Sequence, residues 1–567
     1  MRTARSLKTL AIATLAFVLT ACAGLPTSGP VGIEPLAGNT DTDPQITERA
    51  SGPIAGAGPE AIVAGFIEAA ITPADNWAIA KQFLTPELAD SWRPGVGVTI
   101  DVAGSRAYGS DVESPEEAEA ATTADVSVEL DQRASVDGDG RYTEASGDTE
   151  LAFTLTRDED GEWRIASAPD GIVLDEVSFQ QVYNRYALQY FDQGWRHLVP
   201  DVRWYPRRST VATTIAQAVI EGAPSDWLEP AVQSAFPADV LLDGSSVPVS
   251  EQVATVALTD EALALDGMTL ARMRTQLERS LTAAGVSEVR FTVNGTALDA
   301  DTAGLAGDDT DVSTVVLTED GFGSLVGSEV TPIPGISDEL ARIEQPIAAI
   351  DLAQGERLAA VQLATGAVFA VTEGHVNEVL APPGLVKPSI DPYGYIWSAP
   401  ASDPQELHAW TEDVTPHDIA GAWPEASAIS ALRVSTDGVR IAALVTIGGR
   451  QSIVTAVILR DDRNMPTGLG PIHEVAELST PAKGLVWLGT ENLGILVPGE
   501  EALLTTQVVG GPGSAQSAPP GSVSLAGAKS PAGVRVLGSE GTLFAPRVSA
   551  WQEFYEDVLV LGTRAGY

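Results

Sequence analysis

The sequence predicts a multidomain protein in which two α+β domains precede an all-β propeller. Three observations carry this expectation. The chain has 567 residues, more than one hydrophobic core organises when domains run to roughly 150 residues. Helix-spaced apolar residues followed by strand-like alternation occur twice, over 60–204 and again over 205–301. From 339 to 567 the texture changes to short apolar strands separated by Gly, Asp and Pro turns, with hardly any helical periodicity.

Arg2, Arg5 and Lys8 precede an apolar run over 10–19, which has the length of a signal-peptide core and is too short to span a bilayer. Leu19-Thr20-Ala21-Cys22 follows and holds the chain's single cysteine. Basic, apolar and small residues ending in cysteine resemble, in that order, the lipobox of bacterial lipoproteins. The resemblance implies a signal peptide over 1–21, cleavage between Ala21 and Cys22, and lipidation of the Cys22 thiol. The mature chain is then expected to be lipid-anchored on the extracytoplasmic face of the cell membrane. Acyl chains contribute about 0.8 kcal/mol per buried methylene and one chain holds weakly, so a multiply acylated Cys22 would anchor stably. Residues 22–59 read as a flexible tether, because their Gly, Pro, Thr, Ser and Asp cannot offset ordering entropy with burial. One cysteine allows no intramolecular disulfide, so packing must hold each domain.

In the first domain, Ile62, Phe66, Ile67 and Ala70 recur at helical spacing, and Trp77, Ala80, Phe83 and Leu84 continue it after Pro73. Strand-like alternation follows over 96–102, 124–130, 149–156 and 163–166, with Asp137-Gly138-Asp139-Gly140 and Asp160-Gly161 as turns. The segment Asp160-Gly161-Glu162-Trp163-Arg164-Ile165 resembles the closing hairpin of nuclear transport factor 2-like (NTF2-like) extracytoplasmic domains. Alternating aspartates also begin calcium loops, but such a loop needs glycine sixth and glutamate twelfth. Tyr142 and Asp148 stand there instead, so a hairpin turn is expected. Phe179, Tyr183, Tyr186 and Tyr190 fall at i, i+4, i+7 and i+11, which predicts an aromatic helix face at a domain junction. Phe191, Trp195, Trp204 and Tyr205 extend the aromatic stretch.

In the second domain a helix is predicted over 210–221, with Val211, Ile215, Ala218 and Val219 on one face and Gly222 and Pro224 ending it. Strands are predicted over 240–242 and 252–258. A helix over 270–284 carries Leu270, Met273, Leu277 and Leu281, and a strand over 289–293 enters the Asn294-Gly295 turn. This order, the Glu221-Gly222-Ala223-Pro224 helix end, the VATVALT run over 253–259 and the segment 277–298 resemble the GerMN domain of spore germination and lipoprotein families. The resemblance implies a ligand- or partner-binding module without catalytic residues.

Residues 302–338 are polar and rich in Gly and Pro apart from 312–317, and read as a linker with one strand. Beyond it, 359–371, 390–399, 431–445 and 484–497 are variations of one unit, and 533–546 is a fifth. Asp391-Pro392-Tyr393-Gly394 and Ser435-Thr436-Asp437-Gly438 each place a turn before an apolar strand. Repeats of about forty to fifty residues are those of propeller blades, and about five fit this length. Either the ring is small or strands from the linker or tether complete it; a pair of β-sandwiches is the competing architecture.

Lipobox, NTF2-like domain, GerMN-like domain and C-terminal propeller, in this order, resemble the LpqB lipoproteins of actinobacteria over essentially the whole chain. The resemblance implies a non-enzymatic extracytoplasmic regulator. Its partner would be the extracytoplasmic domain of an MtrB-like two-component sensor kinase, and its effect would reach cell-wall homeostasis and division.

The residues themselves point to binding rather than chemistry. Thirty-three basic against 77 acidic residues give a net charge of −44, which repels nucleic acid phosphates and excludes that partner class. Neither a Walker loop nor a Gly-x-Ser-x-Gly elbow occurs. His197, His375, His408, His417 and His473 are scattered, and His473-Glu474 lacks the second histidine of a zinc-protease helix. The carboxylate pairs Glu116-Glu117 and Asp461-Asp462 fall in polar turns. No catalytic, cofactor-binding or metal residue is therefore expected. The alternative is a cell-envelope glycan-binding protein or glycan hydrolase, whose carboxylates would sit in the propeller channel.

Overall fold

The computed structural model describes residues 50–567 apart from 113–116, 118, 119, 307–312 and 549. The lipobox with Ala21 and Cys22, the tether up to residue 49, and Glu116 lie outside the described residues.

The helix Pro59–Ala69 starts on proline, whose missing N–H costs nothing at a helix start, with Glu60 in its first turn. Its buried Ile62, Val63, Phe66 and Ile67 pack on a mixed sheet in the order Trp163–Ser167, Tyr142–Arg157, Thr123–Asp137, Gly97–Asp101, Ile172–Asp175. The two central strands run to 15 and 16 residues, longer than the alternation predicted. Their hairpin turn is the aspartate motif: the Asp137 carboxylate accepts from the backbone N–H groups of Asp139 (2.9 Å) and Arg141 (2.8 Å).

The predicted aromatic helix over 179–190 is corrected. A short helix, Glu176–Val182, is capped by Asp175, whose carboxylate accepts from the N–H groups of Val177 and Ser178. At Tyr183 the chain becomes a strand, Tyr183–Asp192, paired antiparallel with Leu198–Pro206 and at its end with Val232–Gln233. Residues four apart share a face in a helix and in a strand alike, so Tyr186 and Tyr190 satisfied both patterns. The long antiparallel partner decides between them.

The same hairpin corrects the expected boundary between 204 and 205. Tyr186, Leu188, Tyr190 and Phe191 share one core with the helices Val211–Ile220 and Gly267–Leu281. A second sheet, Val249–Ser250, Val253–Leu258, Glu288–Val293, Thr296–Leu298, covers the other side. Its central pair is parallel because the helix Gly267–Leu281 makes the crossover. Residues 240–242 are not a strand; Leu242 makes a single bridge to Leu258, and Val240 is buried in the core.

The C-terminal region is a closed ring of six blades among the described residues, one more than the repeat length predicted. Inner strands in ring order are Val560–Leu561, Ile347–Leu352, Ser389–Ile390, Ala428–Val434, Gly484–Leu488 and Ser522–Ala526. The expected linker over 302–338 is also corrected: Val315–Thr318, Gly321–Val326 and Glu329–Pro332 build one blade with Val560–Leu561. Closure of this kind leaves no open sheet edge at the seam. Arg564 fastens the seam, donating to Ser313 O (2.8 Å) and to the hydroxyls of Ser313 (2.8 Å) and Ser324 (2.9 Å).

Polar side chains stitch the inner strands together. Buried Asp351 accepts from Ile390 N (2.6 Å) and from the Thr563 hydroxyl, and lies 3.6 Å from Arg433. Arg433 donates in turn to Pro388 O (2.9 Å). Burial raises the Asp351 pKa, and Arg433, Thr563 and the Ile390 N–H oppose that rise.

Candidate functional site

Each inner propeller strand runs in the same direction, so the turns at their C-terminal ends gather on one face around the ring axis. The turns over 391–395 and 435–439 are built by their aspartates. Asp391 accepts from the N–H groups of Tyr393 and Tyr395 (both 2.9 Å), from Trp397 Nε1 (3.0 Å) and from Arg460 (2.6 Å). Asp437 accepts from Val439 N (2.9 Å), the Ser435 hydroxyl (2.6 Å) and Arg440 Nη2 (2.5 Å). Burial alone would raise the Asp437 pKa; the Arg440 charge and these hydrogen bonds outweigh it and hold the carboxyl below the usual range. Both carboxylates are committed to structure, which removes them as acid or base for a hydrolase.

The second domain sits on this face. Val439 and Val457 of the propeller enter its core. Arg185 donates to Asn492 Oδ1 (3.0 Å) and pairs with Glu491 (3.3 Å). Trp227 stacks on His473 at 5.1 Å with the rings 6° from parallel. Trp204 joins three modules: its Nε1 donates to Gly510 O (2.9 Å), its ring packs on Phe179 of the first domain at 5.1 Å, and its backbone N–H donates to Gly140 O (2.8 Å). Gly140 has φ +82°, and a Cβ there would lie 2.9 Å from Trp204 O, so glycine is required.

A cleft of about 640 Å³ opens between the second domain and the propeller axis. One wall is the strand Tyr183–Asp192, presenting Arg185 and Gln189, with Arg279 and Ser280 from the helix Gly267–Leu281. The Ser280 hydroxyl accepts from Gln189 N (2.9 Å) and donates to Gln276 O (2.7 Å), which sets helix against strand and places Arg279 at the rim. The other wall is the gathered turns, with Gln354, Thr436, Glu491 and Lys529. A neighbouring concavity of about 590 Å³ shares Gln354 and is lined by Tyr393, Tyr395 and Glu412.

The structure does not bring the singled-out residues together. His197 lines the cleft, His473 is stacked on Trp227, His375 is exposed, His408 lies 3.0 Å from Asp418, and His417 packs edge-on to Tyr395. Asp461 caps a turn by accepting from Arg463 N and Met465 N (both 2.9 Å). Among the described residues, no three His, Cys, Asp or Glu side chains converge as a metal site. The cleft residues Arg185, Arg279 and Lys529 come from three distant elements and form no local motif. The one available signal was rarity, since the chain has five lysines and three lie in the propeller.

His473 gives the junction a pH dependence. Burial lowers its pKa from the ordinary 6.5, against the opposing charges of Asp201 and Glu474. The unfolded imidazole therefore binds a proton at a pH where the folded one does not, so stability falls as pH drops below about 6.5, by at most about 1.4 kcal/mol per pH unit. Thermal melts between pH 7.5 and 5.5 should show this loss, and His473→Gln should flatten it. Equal slopes in both proteins would remove His473 as the cause.

Family models match three segments. "Lipoprotein LpqB, N-terminal domain" covers 52–180, "Sporulation and spore germination" covers 187–299, and "Lipoprotein LpqB beta-propeller domain" covers 320–559. This chain belongs to the LpqB lipoprotein family. The Lipoprotein LpqB of Cutibacterium acnes is 26% identical over 509 residues, 82% of this chain and 79% of that one. The Lipoprotein LpqB of Streptomyces coelicolor is 28% identical over 529 residues, 84% and 83% of the two chains. Among solved structures, TolB from Acinetobacter baumannii aligns over 41% of this chain and 59% of its own, at 14% identity and a TM-score of 0.30. The LpqB segments meet the middle one near residue 183 and again after 299, close to where the strand Tyr183–Asp192 begins and between the strand Thr296–Leu298 and the first blade strand Val315–Thr318. Among the described residues of this LpqB-family chain, no helix is long and apolar enough to cross a membrane.

Proposed function

We propose that this LpqB-family protein is a lipid-anchored extracytoplasmic binding protein. Cys22 carries the anchor, and the folded body engages the extracytoplasmic domain of a two-component sensor kinase, through which it acts on cell-wall homeostasis and division. One observation supports a binding role above others: two small domains and a six-bladed ring meet at Trp204, and a polar cleft stays open between the second domain and the ring. A rigid scaffold holding a preformed concavity is the arrangement recognition needs. The buried Asp351, Asp391 and Asp437 hold the turns and the inner strands through hydrogen bonds to Ile390 N, Trp397 and Arg440.

The test is cross-linked capture from membranes of cells making the full-length anchored protein. Recovery of a sensor kinase through its extracytoplasmic domain is expected; recovery of the protein without any kinase would overturn the partner. Cys22→Ala should move the protein from the membrane to the soluble fraction, and continued tight membrane attachment would sink the anchor.

A further inference from the structure

We infer that the outer edge of one propeller blade, the strand Gly513–Ser517, takes an extended segment of a partner protein as a further strand, with basic residues at the end beside Ser517. The other five blades guard their outer edges. Glu329–Pro332 and Pro416–Asp418 each carry a proline and an acid, and His375–Glu378 ends on an acid. Pro466–Leu469 starts on proline beside the acids of His473–Leu478, and Ala550–Tyr555 holds Glu553 and a register shift. Such devices keep a foreign strand from pairing. Gly513-Ser514-Ala515-Gln516-Ser517 has no charge, no proline and no bulge, and all five residues are exposed. An edge left open in this way is a template for strand addition.

The ladder shows which groups are free. The strand pairs antiparallel with Leu503–Val508, and Ala518 N donates to Ala502 O at 2.8 Å. Inward and outward groups alternate along such a ladder, so Gly513, Ala515 and Ser517 turn their N–H and C=O groups outward. Trp551 Nε1 donates to Ser517 O at 2.8 Å, as that alternation requires, and the carbonyl keeps a second lone pair. Ala515 and Ser517 stand opposite the half-buried Thr505 and the exposed Leu503, so β-branched residues on an added strand would extend that cross-strand row. Glu500 and Glu501 precede Ala502, are exposed, and make no hydrogen bond or ion pair among the described residues. They place negative charge at the Ser517 end, which selects a basic end on the partner. A second copy of the chain is the weaker occupant, because each carries a net charge of −44 and edge pairing alone buries far less than the roughly 1,200 Å² of a stable interface. None of the five residues lines the cleft beside the second domain, so the edge stands apart from the kinase reading above.

The test pans a displayed library of random peptides of about ten residues against the full chain in detergent, after depletion on Ala515→Pro. Proline at an outward-facing edge position removes no ladder bond, so this variant should melt as the parent does. Ala515→Lys, which adds the missing guard charge and keeps the backbone donor, is the second variant. Sequences of alternating β-branched residues ending in lysine or arginine should be enriched. For such a peptide each variant should weaken binding about 10-fold, through a lost backbone hydrogen bond in one and like-charge repulsion in the other. Glu500→Gln with Glu501→Gln should weaken it about 3-fold. Bound peptide should also slow amide exchange at Gly513, Ala515 and Ser517. Failure to enrich any peptide over the depleted pool, enrichment of acidic peptides, or parental affinity in both variants would overturn the proposal. So would a parent dimer that Ala515→Pro dissociates in sedimentation, since the occupant would then be a second copy.

Discussion

Asp437→Ala is expected to destabilise the propeller by about 3–5 kcal/mol, the usual consequence of leaving one member of a buried ion pair alone. Asp437 and Arg440 are 3% and 1% exposed in their side chains and meet at 2.5 Å. Without the carboxylate, the buried guanidinium keeps, among the described residues, the face of Trp487 4.9 Å away. The Val439 N–H loses its acceptor at the same time, and the Ser435 hydroxyl is left with Arg440 O at 3.0 Å. Because this turn enters the blade that contributes Val439 and Val457 to the second domain's core, the damage should spread beyond the ring. Denaturant titration of the variant should show a lower midpoint, and a loss under about 1 kcal/mol would mean that water or a rearranged turn satisfies Arg440.

Trp204→Ala should cost a similar amount, about 3–5 kcal/mol, through the cavity left by a large buried side chain. Its particular effect should be on cooperativity. Trp204 touches Tyr142 and Phe179 on one side and Gly510 on the other, so it couples the first domain to the propeller. A Cβ on Gly511 would already lie 2.8 Å from the indole ring, which shows how closely the propeller turn is packed on it. Calorimetry of the parent should give strongly coupled unfolding, and the variant should resolve an earlier transition for the first domain. One transition, merely shifted down, would show that the remaining contacts suffice for coupling.

Much of the fold is legible residue by residue. The helices Val211–Ile220 and Gly267–Leu281 and the strands Val253–Leu258 and Glu288–Val293 stand where periodicity placed them, because each has one clear face to bury. The aspartate turns at 137, 391 and 437 were visible for the same local reason: a carboxylate two residues before an unpaired N–H closes the turn itself. The first propeller blade is legible only in part: one of its strands, Val315–Thr318, overlaps the apolar 312–317 run, and linker strands are one of the two ways to complete the ring. Its inner strand, Val560–Leu561, has two residues, too few for any period, and its partners lie at the opposite end of the domain.

Short-range chemistry therefore set the turns, the amphipathic elements and the domain order, since a side chain and its nearest backbone settle those together. Pairing between distant segments set the rest. It made 183–192 a strand where the spacing read helix, raised the blades from five to six, and brought Arg185, Arg279 and Lys529 to one cleft. Such contacts follow from which surfaces meet after the chain has closed on itself, and no window of neighbouring residues contains that information.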